Sequence, residues 1–271
     1  MTEVDPRVAD LFSLTGEVAV VTGASSGIGQ AAAEIIARAG GAVALIGRDS
    51  ERLEAVADGI RSHGGTALPI VADVADRASI DEAFARVTEQ LGAPSILVAN
   101  AGISAGVSYS SPEGTLAAYP DDVWDEVVAT NLNGLFATLR AGARVMRDGG
   151  RMLVTSSTAG LRADPMVGYA YVATKAAVLN VVRQAALEMA PRGIRVNAIA
   201  PGPFRTRIGG DRPLSPERAA IWEATIPLGR MGDTSEIEGP VLFLVSPASG
   251  FVTGATLAVD GGALALSHAR F

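Results

Sequence analysis

A tyrosine and a lysine four residues apart, Tyr171 and Lys175, are the residues of this chain best suited to acid–base chemistry. Lys175 is the only lysine, so the other 21 of the 22 basic residues are arginines. The two residue types differ chemically, because Arg is a planar fork whereas Lys is a compact point charge with three rotatable donors. A position that keeps Lys in a background of Arg therefore indicates a site that uses the point charge.

The spacing of Tyr171 and Lys175 predicts that they act together. Residues at i and i+4 of a helix share one face, so both side chains can reach the same ligand. A free tyrosine has a pKa of about 10 and needs a fall of ~3 units to exchange protons near neutral pH. One ammonium ~4 Å away, at an effective dielectric constant of ~20, supplies about 4 kcal/mol. We therefore expect Lys175 to lower the pKa of Tyr171, and Tyr171 to be the general acid and base.

A glycine-rich turn, Thr22–Gly29, is suited to binding a phosphate. Its glycines permit a tight turn and let backbone N–H groups approach an anion, which the N-terminus of the following helix also favours. Gly29 allows close packing of that helix on the preceding strand. A glycine cluster alone is weak evidence, but its position after the first strand of an alternating chain strengthens it. The turn therefore predicts a dinucleotide site.

The elements that must position these residues alternate along the chain. We expect strands at Val18–Thr22, Ala42–Ile46, Ala67–Val71, Ile96–Ala99, Met152–Thr155, Ile194–Ile199 and Thr256–Val259. We expect helices at Gly29–Ala39, Ser50–Ser62, Ser79–Leu91, Asp122–Met146 and Ala170–Ala190. Apolar strands separated by helices predict a doubly wound parallel sheet of the Rossmann type, covered by helices on both faces. Ligands bind such a sheet at the carboxyl ends of its strands.

The composition is that of a compact α/β protein with a small-molecule partner. The chain has 271 residues, 48% of them hydrophobic, a mean hydropathy of +0.30 and a formal net charge of -7. The charge argues against nucleic acid as a partner, and no apolar run approaches the ~18 residues of a membrane span. The acidic start lacks the layout of a signal peptide. We expect a single domain over 1–271, with a lead-in at 1–15, and a cytoplasmic location.

The sequence predicts no metal site. There is no cysteine, which excludes disulfides and thiolate ligands. The two histidines, His63 and His268, are far apart in polar or terminal stretches, where a solvated imidazole is the simpler interpretation.

Two long segments follow strands and therefore lie over the ligand-binding edge. The segment 103–121 is rich in Gly, Ser and Pro, and the segment 201–227 carries five prolines and three glycines. Loops at this edge are more often lids or substrate walls than disorder. We expect a substrate-loop insertion at 201–230. Candidate wall residues are Ser108, Tyr109, Tyr119, Tyr169, Phe204, Ile208, Leu214 and Trp222.

The Gly-x-x-x-Gly-x-Gly turn together with Tyr171-x-x-x-Lys175 resembles the short-chain dehydrogenase/reductase family, in its single-domain branch. The resemblance extends from Gly16 to about Gly262. Further motifs match in order: Ala72-Asp73-Val74, Asn100-Ala101-Gly102, Asn131-Leu132-Asn133-Gly134, Ser156-Ser157 and Pro201-Gly202 with Thr206.

This resemblance implies an oxidoreductase that moves a hydride between a nicotinamide and a secondary alcohol or ketone. The implied catalytic residues are Asn131, Ser157, Tyr171 and Lys175. Tyr171 would exchange the proton of the substrate oxygen, which Ser157 would hydrogen-bond, and Lys175 would bind the nicotinamide ribose. Asn131 would complete a proton relay through water and the lysine. The interval from Ser157 to Tyr171 is one residue longer than the common spacing, so Ser156 or Thr158 is the alternative for the serine role.

The resemblance also implies a set of cofactor-binding residues. These are Gly23, Ser25, Ser26, Gly27, Ile28, Gly29, Arg48, Asp73, Val74, Asn100, Ala101, Gly102, Tyr171, Lys175, Pro201, Gly202, Phe204 and Thr206.

The end of the second strand favours NADP over NAD. An acidic residue at position 47 would bind the adenosine ribose hydroxyls and repel a 2′-phosphate. Gly47 supplies no acid, and Arg48 offers a fork suited to phosphate. Against this, Ser26 stands where many NADP-dependent members carry a second basic residue. Asp49 either offsets the charge of Arg48 or caps the following helix. We expect NADP(H), with NAD(H) as the alternative.

The substrate is the least specified property. Apolar residues in the loops favour an alicyclic, aromatic or acyl ketone. The lead-in Leu11–Gly16 is similar to gluconate 5-dehydrogenase-like members, which favours polyols or keto-sugars. The alternatives are a non-catalytic nucleotide sensor, and an enoyl reductase, dehydratase or epimerase variant. The two long helices are those that pair in the tetramers of the family, so we expect a homotetramer or a dimer.

Overall fold

Seven parallel strands form one sheet at the centre of the molecule. The computed structural model describes residues 5–105, 107–206 and 215–266. The strands are β1 (Val18–Thr22), β2 (Ala42–Gly47), β3 (Ala67–Val71), β4 (Ile96–Ala99), β5 (Arg151–Thr155), β6 (Arg195–Pro201) and β7 (Thr256–Val259). Their order is β3-β2-β1-β4-β5-β6-β7, and every pair is parallel. The order reverses between β1 and β4, so the crevice at their carboxyl ends is the expected ligand site.

Nine α-helices lie in the described residues. They are α1 (Pro6–Phe12), α2 (Gly27–Arg38), α3 (Ser50–Ser62), α4 (Arg77–Leu91), α5 (Asp121–Val128), α6 (Leu135–Val145), α7 (Tyr169–Met189), α8 (Pro216–Ala224) and α9 (Glu238–Val245). Short 3-10 turns lie at 112–114, 158–160, 190–192, 234–237 and 247–249.

The five central strands, β2, β1, β4, β5 and β6, are buried on both faces, which agrees with their continuous apolar runs. Successive residues point to opposite faces, so Ala19 and Val21 join the core beneath α2, α3 and α9. Val20 lies between them and joins the core beneath α4, α6 and α7. The predicted doubly wound parallel sheet in one domain is confirmed, and each strand lies within two residues of its predicted bounds.

The predicted helix Asp122–Met146 is wrong as a single regular helix. A π-helical segment, Ala129–Gly134, separates α5 from α6. Such segments are rare and frequently mark functional sites. Here Asn131 lies within it, and its side chain bonds to a loop instead of facing solvent.

Three helices were not predicted. Helix α1 begins after Asp5, whose carboxylate caps it, and has no buried residue. Helix α8 lies inside the proline-rich segment that was expected to be a loop. Helix α9 reads EGPVLFLV, so it is apolar on all sides and shows no helical period.

Within the part of the chain that the structure describes, no helix is both long and apolar enough to cross a membrane.

Candidate active site

The glycine turn between β1 and α2 is packed so tightly that side chains are excluded from it. Gly23 has a φ of 67°, and a Cβ built on it would lie 2.9 Å from the Ala101 Cα. A Cβ on Gly29 would lie 2.1 Å from the Gly23 carbonyl oxygen. The turn therefore presents bare backbone at a helix N-terminus, which is a cradle suited to a diphosphate.

Two polar side chains at the ends of β1 and β4 brace this turn. The Asn100 side-chain amide donates to the carbonyls of Thr22 at 3.2 Å and Gly23 at 3.4 Å. The Thr22 hydroxyl accepts from the backbone N–H of Asn100 at 3.1 Å and of Ala101 at 3.2 Å. Asn100 and Ala101 thus hold the cradle in position, and Thr22 belongs with them although we had not singled it out.

The segment after β6 lies against the same turn. A Cβ on Gly27 would meet the Thr206 side chain at 3.5 Å. A Cβ on Gly202 would come within 2.8 Å of the Asp260 Cβ, and Phe204 packs on Gly232. The structure therefore brings the end of Pro201–Thr206 to the glycine turn, as expected for two parts of one ligand site.

The end of β2 presents a cation, Arg48, that forms no ion pair with any other described residue. The Asp49 carboxylate accepts from the Arg52 backbone N–H at 3.0 Å and pairs with the Arg52 Nε at 3.1 Å. Asp49 therefore caps α3, which was one of its two expected roles. Arg48 is exposed and has no ion pair among the described residues. Gly47 faces the turn, because a Cβ on it would lie 3.7 Å from the Ser25 hydroxyl.

Four further expected cofactor residues lie around the same edge. Asp73 is half-buried after β3, and its carboxylate accepts from the Ala75 N–H at 2.9 Å. Val74 packs on the helical segment at Gly134. Ser26 caps α2 with its backbone alone, and Ile28 packs against the core.

Lys175 is enclosed in the protein. Lys175 is only 4% exposed, and its ammonium donates a hydrogen bond to the Thr155 carbonyl at 2.9 Å. Burial lowers the pKa of Lys175 to about 8. A Cβ on Gly102 would lie 3.4 Å from the Lys175 Nζ, so a glycine at this position avoids crowding the ammonium.

The expected lowering of the Tyr171 pKa is wrong for this arrangement of side chains. Tyr171 is 7% exposed, and burial raises its pKa because the phenolate would lose its hydration. A hydrogen-bonding interaction with Ser157 lowers the pKa, whereas the negative charge of Asp164 raises it. The Lys175 ammonium lies 5.6 Å from the centre of the Tyr171 ring, a position over the ring that favours cation–π attraction.

The serine next to the tyrosine is Ser157. Its hydroxyl accepts from the Ala159 N–H at 3.1 Å and interacts with Tyr171. The Ser156 hydroxyl donates instead to the Lys175 carbonyl at 2.9 Å, so it fixes the helix to the strand end. This geometry favours Ser157 over Ser156 for a contact with the substrate.

Asn131 ties the π-helical segment to the loop after β4. Its side-chain oxygen accepts from the Ile103 N–H at 2.8 Å, and its amide donates to the Ile103 carbonyl at 2.9 Å. A Cβ on Gly102 would lie 3.2 Å from this oxygen, so the side chains of Asn131 and Lys175 both pack against Gly102. The side chain is therefore fixed beside the lysine.

Two of the candidate wall residues, Tyr119 and Tyr169, contact each other at the start of α7. Tyr119 packs edge-to-face on Tyr169, with ring centres 5.8 Å apart, and a Cβ on Gly168 would lie 2.6 Å from the Tyr119 hydroxyl. Tyr109 is exposed. Ile208, Leu214 and His268 lie outside the described residues.

Sequence reasoning missed two groups at this edge. Thr155 holds the lysine through its carbonyl, and its buried hydroxyl has no partner within the described residues. The negative charge of Asp164 raises the pKa of Tyr171, after the larger effect of burial. The available signal for Asp164 was the extra residue between Ser157 and Tyr171.

The described residues contain no group of three or more His, Cys, Asp or Glu side chains arranged for a metal ion.

Known proteins are similar in sequence to this chain over nearly its whole length. A family model described as enoyl-(acyl carrier protein) reductase matches residues 23–263. L-rhamnose 1-dehydrogenase (NAD(P)(+)) of Azotobacter vinelandii is 37% identical over 256 residues, covering 92% of this chain and 97% of that protein. Gluconate 5-dehydrogenase of Gluconobacter oxydans is 36% identical, covering 93% of this chain and 96% of that protein.

Solved structures share the fold. A short-chain type dehydrogenase/reductase from Mycobacterium marinum has a TM-score of 0.87 and 38% identity, covering 94% of this chain and 98% of that one. A short chain dehydrogenase from Burkholderia cenocepacia J2315, in complex with NADP, has a TM-score of 0.84 and 33% identity, covering 93% and 99%.

Proposed function

The chain belongs to the short-chain dehydrogenase/reductase family, and from that premise we propose that it interconverts a secondary alcohol and a ketone with NADP(H) in preference to NAD(H). The observation that carries this proposal is the cluster of Ser157, Tyr171 and buried Lys175 beside the glycine cradle. When bound, the nicotinamide supplies or accepts the hydride. The bare backbone of the turn at Gly23 and Gly29 fits the diphosphate of such a cofactor.

Tyr171 is the proposed general acid and base. Its hydroxyl gives a proton to the carbonyl oxygen during reduction and takes one from the alcohol during oxidation. Because burial raises the pKa of Tyr171, the hydroxyl stays protonated at neutral pH and is ready for reduction. Oxidation, which needs the phenolate, is favoured at alkaline pH. Ser157 orients the same substrate oxygen.

Lys175 is the proposed ribose-binding cation. The bond to the Thr155 carbonyl uses one of its three donors and leaves two for ligand hydroxyls. Asn131 is proposed to fix the position of the loop after β4 beside the lysine, and to continue a proton path through water.

The guanidinium of Arg48, which has no ion pair in the part of the chain that the structure describes, supports NADP as the preferred cofactor. Asp49 is engaged by Arg52, so it does not offset the charge of Arg48. An exposed guanidinium next to a glycine in place of an acid suits a 2′-phosphate.

A direct test compares Tyr171→Phe with Tyr169→Phe, a tyrosine two residues away whose ring packs on Tyr119. We expect Tyr171→Phe to lose at least 99% of turnover while its dissociation constant for NADPH changes by less than about threefold, because only the proton donor is removed. Tyr169→Phe should keep most of its activity. Turnover is measured by absorbance of NADPH against ketones, keto-sugars and acyl thioesters.

Substantial turnover by Tyr171→Phe would refute the mechanism. Absence of turnover by the unaltered protein across the whole panel would instead favour a non-catalytic nucleotide sensor. That alternative is not favoured, because the relatives are named dehydrogenases and all three catalytic side chains are present. The Tyr-x-x-x-Lys spacing is also intact, which disfavours an enoyl reductase variant.

A further inference from the structure

Ser157 begins a tight turn, residues 157–162, which we name the serine turn. Its hydroxyl is held inside this turn, because it accepts from the Ala159 N–H at 3.1 Å. The Thr158 carbonyl accepts from the Arg162 N–H at 3.1 Å, which closes the turn on the backbone of that arginine. The position of Arg162 is therefore coupled to the backbone that holds the Ser157 hydroxyl.

The Arg162 side chain is bonded to a second turn, which follows β7. We name residues 260–265 the C-terminal turn. The Arg162 Nη1 donates to the Ala263 carbonyl at 2.6 Å, and Ala263 is buried. This acceptor is fixed, because the Asp260 carboxylate accepts from the backbone N–H of Gly262 at 2.9 Å. Arg162 therefore joins the serine turn to a turn that is itself held by hydrogen bonds.

The C-terminal turn also contacts the two ends of the segment 201–230, which is the expected substrate loop. At the first end, a Cβ on Gly202 would lie 2.8 Å from the Asp260 Cβ, so the two backbones are in close contact. Near the second end, the Leu228 N–H donates to the Gly261 carbonyl at 3.2 Å. The guanidinium of Arg162 therefore links the serine turn to the base of the segment that is expected to contact the substrate.

We propose that Arg162 is a positioning residue: its bond to the Ala263 carbonyl fixes the serine turn, and so keeps the Ser157 hydroxyl where it can hydrogen-bond the substrate oxygen. The bond has a charged donor, which makes it stronger than a hydrogen bond between neutral groups. A group that orients the reacting oxygen must be held closely, because a displacement of about 1 Å can lower a rate roughly 100-fold. The proposal rests on the proposed function, since it assigns a further residue to the same reaction.

The test compares Arg162→Met with Arg183→Met. Methionine keeps an unbranched arm and removes the donors, and Arg183 is an exposed cation on α7. Rates are measured with NADPH and the fastest ketone of the substrate panel, which includes cyclohexanone, D-fructose and acetoacetyl-CoA. We expect kcat to fall about tenfold in Arg162→Met while KM stays within about threefold, because the bond to the substrate oxygen strengthens in the transition state. Arg183→Met should stay within about twofold of the unaltered protein.

A second comparison separates positioning from a general effect on the fold. Because Arg162 acts through Ser157, Arg162→Met should change the rate by less than about twofold in a Ser157→Ala background, measured in single turnovers with enzyme in excess. The dissociation constant for NADPH, from fluorescence titration, should stay within about twofold in Arg162→Met. Thermal denaturation checks that each variant is folded. Arg162→Gln, which shortens the arm, is the second variant if Arg162→Met does not fold, and it should show the same loss.

Three results would overturn the proposal. The first is a kcat in Arg162→Met that stays within about twofold of the unaltered protein. The second is an equal loss with and without the Ser157 hydroxyl, and the third is a loss of NADPH affinity that matches the loss of kcat. Each leaves the proposed function intact, because the unaltered protein still turns over. Failure of the proposed function has a different signature: the unaltered protein turns over no ketone or alcohol.

Discussion

Lys175 is buried at a position where its positive charge is destabilised by the loss of hydration. Its pKa of about 8 lies below the ordinary value of 10.5, because burial disfavours the ammonium. The cost is present in full below about pH 8. It disappears above about pH 10.5, where the amine is neutral in both the folded and the unfolded chain. Stability associated with this group therefore rises as the pH rises between these values.

The direction of this pH dependence can be measured by comparing the stability of the unaltered protein with that of Lys175→Met. The free energy of unfolding of the unaltered protein should rise relative to the variant between pH 8 and 10, approaching a gain of about 3 kcal/mol at full deprotonation. Urea denaturation at a series of pH values measures it. Arg183→Met, which removes an exposed cation from the same helix, should show a difference independent of pH. A pH-independent difference for Lys175→Met would show that burial does not shift this lysine.

Arg48 is the residue on which the cofactor preference depends. Removing its guanidinium in Arg48→Ala should weaken NADPH binding about tenfold and leave NADH binding within twofold, because only NADPH carries the 2′-phosphate. Calorimetric titration measures both dissociation constants. Arg61→Ala, on the last turn of α3, is the control. Equal losses for the two cofactors would contradict a role in phosphate recognition.

At this scale the sequence identified the chemical groups but not their electrostatics. The spacing of Tyr171 and Lys175 correctly predicts two side chains on one helix face. It does not predict that burial raises the pKa of Tyr171, because desolvation depends on the packing of distant segments. Asp164 was missed for the same reason, since its neighbours are set by the fold.

At the scale of elements, the turn between β1 and α2 depends on the absence of a single methyl group. In Gly29→Ala the new Cβ would lie 2.1 Å from the Gly23 carbonyl oxygen, so the turn must move away from Asn100. We expect a lower melting temperature and at least a tenfold loss of NADPH affinity. Differential scanning fluorimetry with and without NADPH measures both.

Gly59→Ala is the matched control, because Gly59 lies inside α3 and a Cβ there meets nothing within 4 Å. This variant should bind NADPH normally and gain up to about 1 kcal/mol from helix propensity. Unchanged NADPH binding in Gly29→Ala would mean that the tight packing of the turn is not required.

Elements with a clear period were predictable, and those defined by tertiary contacts were not. The strands and the helices α3 and α4 follow from apolar runs and helical spacing. The π-helical segment does not, because it depends on the bonds between Asn131 and Ile103, which are far apart in sequence. Helix α9 was missed because a helix buried on most sides has no polar face to give it a period.

At the scale of the whole molecule, exposed apolar side chains on two long helices support our inference of a homotetramer. Phe136 on α6 is 55% exposed and Leu187 on α7 is 74% exposed. Sedimentation equilibrium should give about four times the chain mass of 27.6 kDa. Phe136→Glu should reduce the assembly, whereas Leu116→Glu, on the loop before α5, should not. A monomer at micromolar concentration would contradict the inference. The cytoplasmic location stays a prediction.

The burial of Lys175 has a consequence for covalent chemistry on this protein. Because it is the only lysine, reagents that acylate side-chain amines have one target in the chain, and that target is enclosed beneath the loop at Gly102. Its lowered pKa makes the amine more nucleophilic at neutral pH than an ordinary lysine once it is reached. The rate of acylation of Lys175 would therefore measure how often the active site opens, with no reporter residue introduced into the chain.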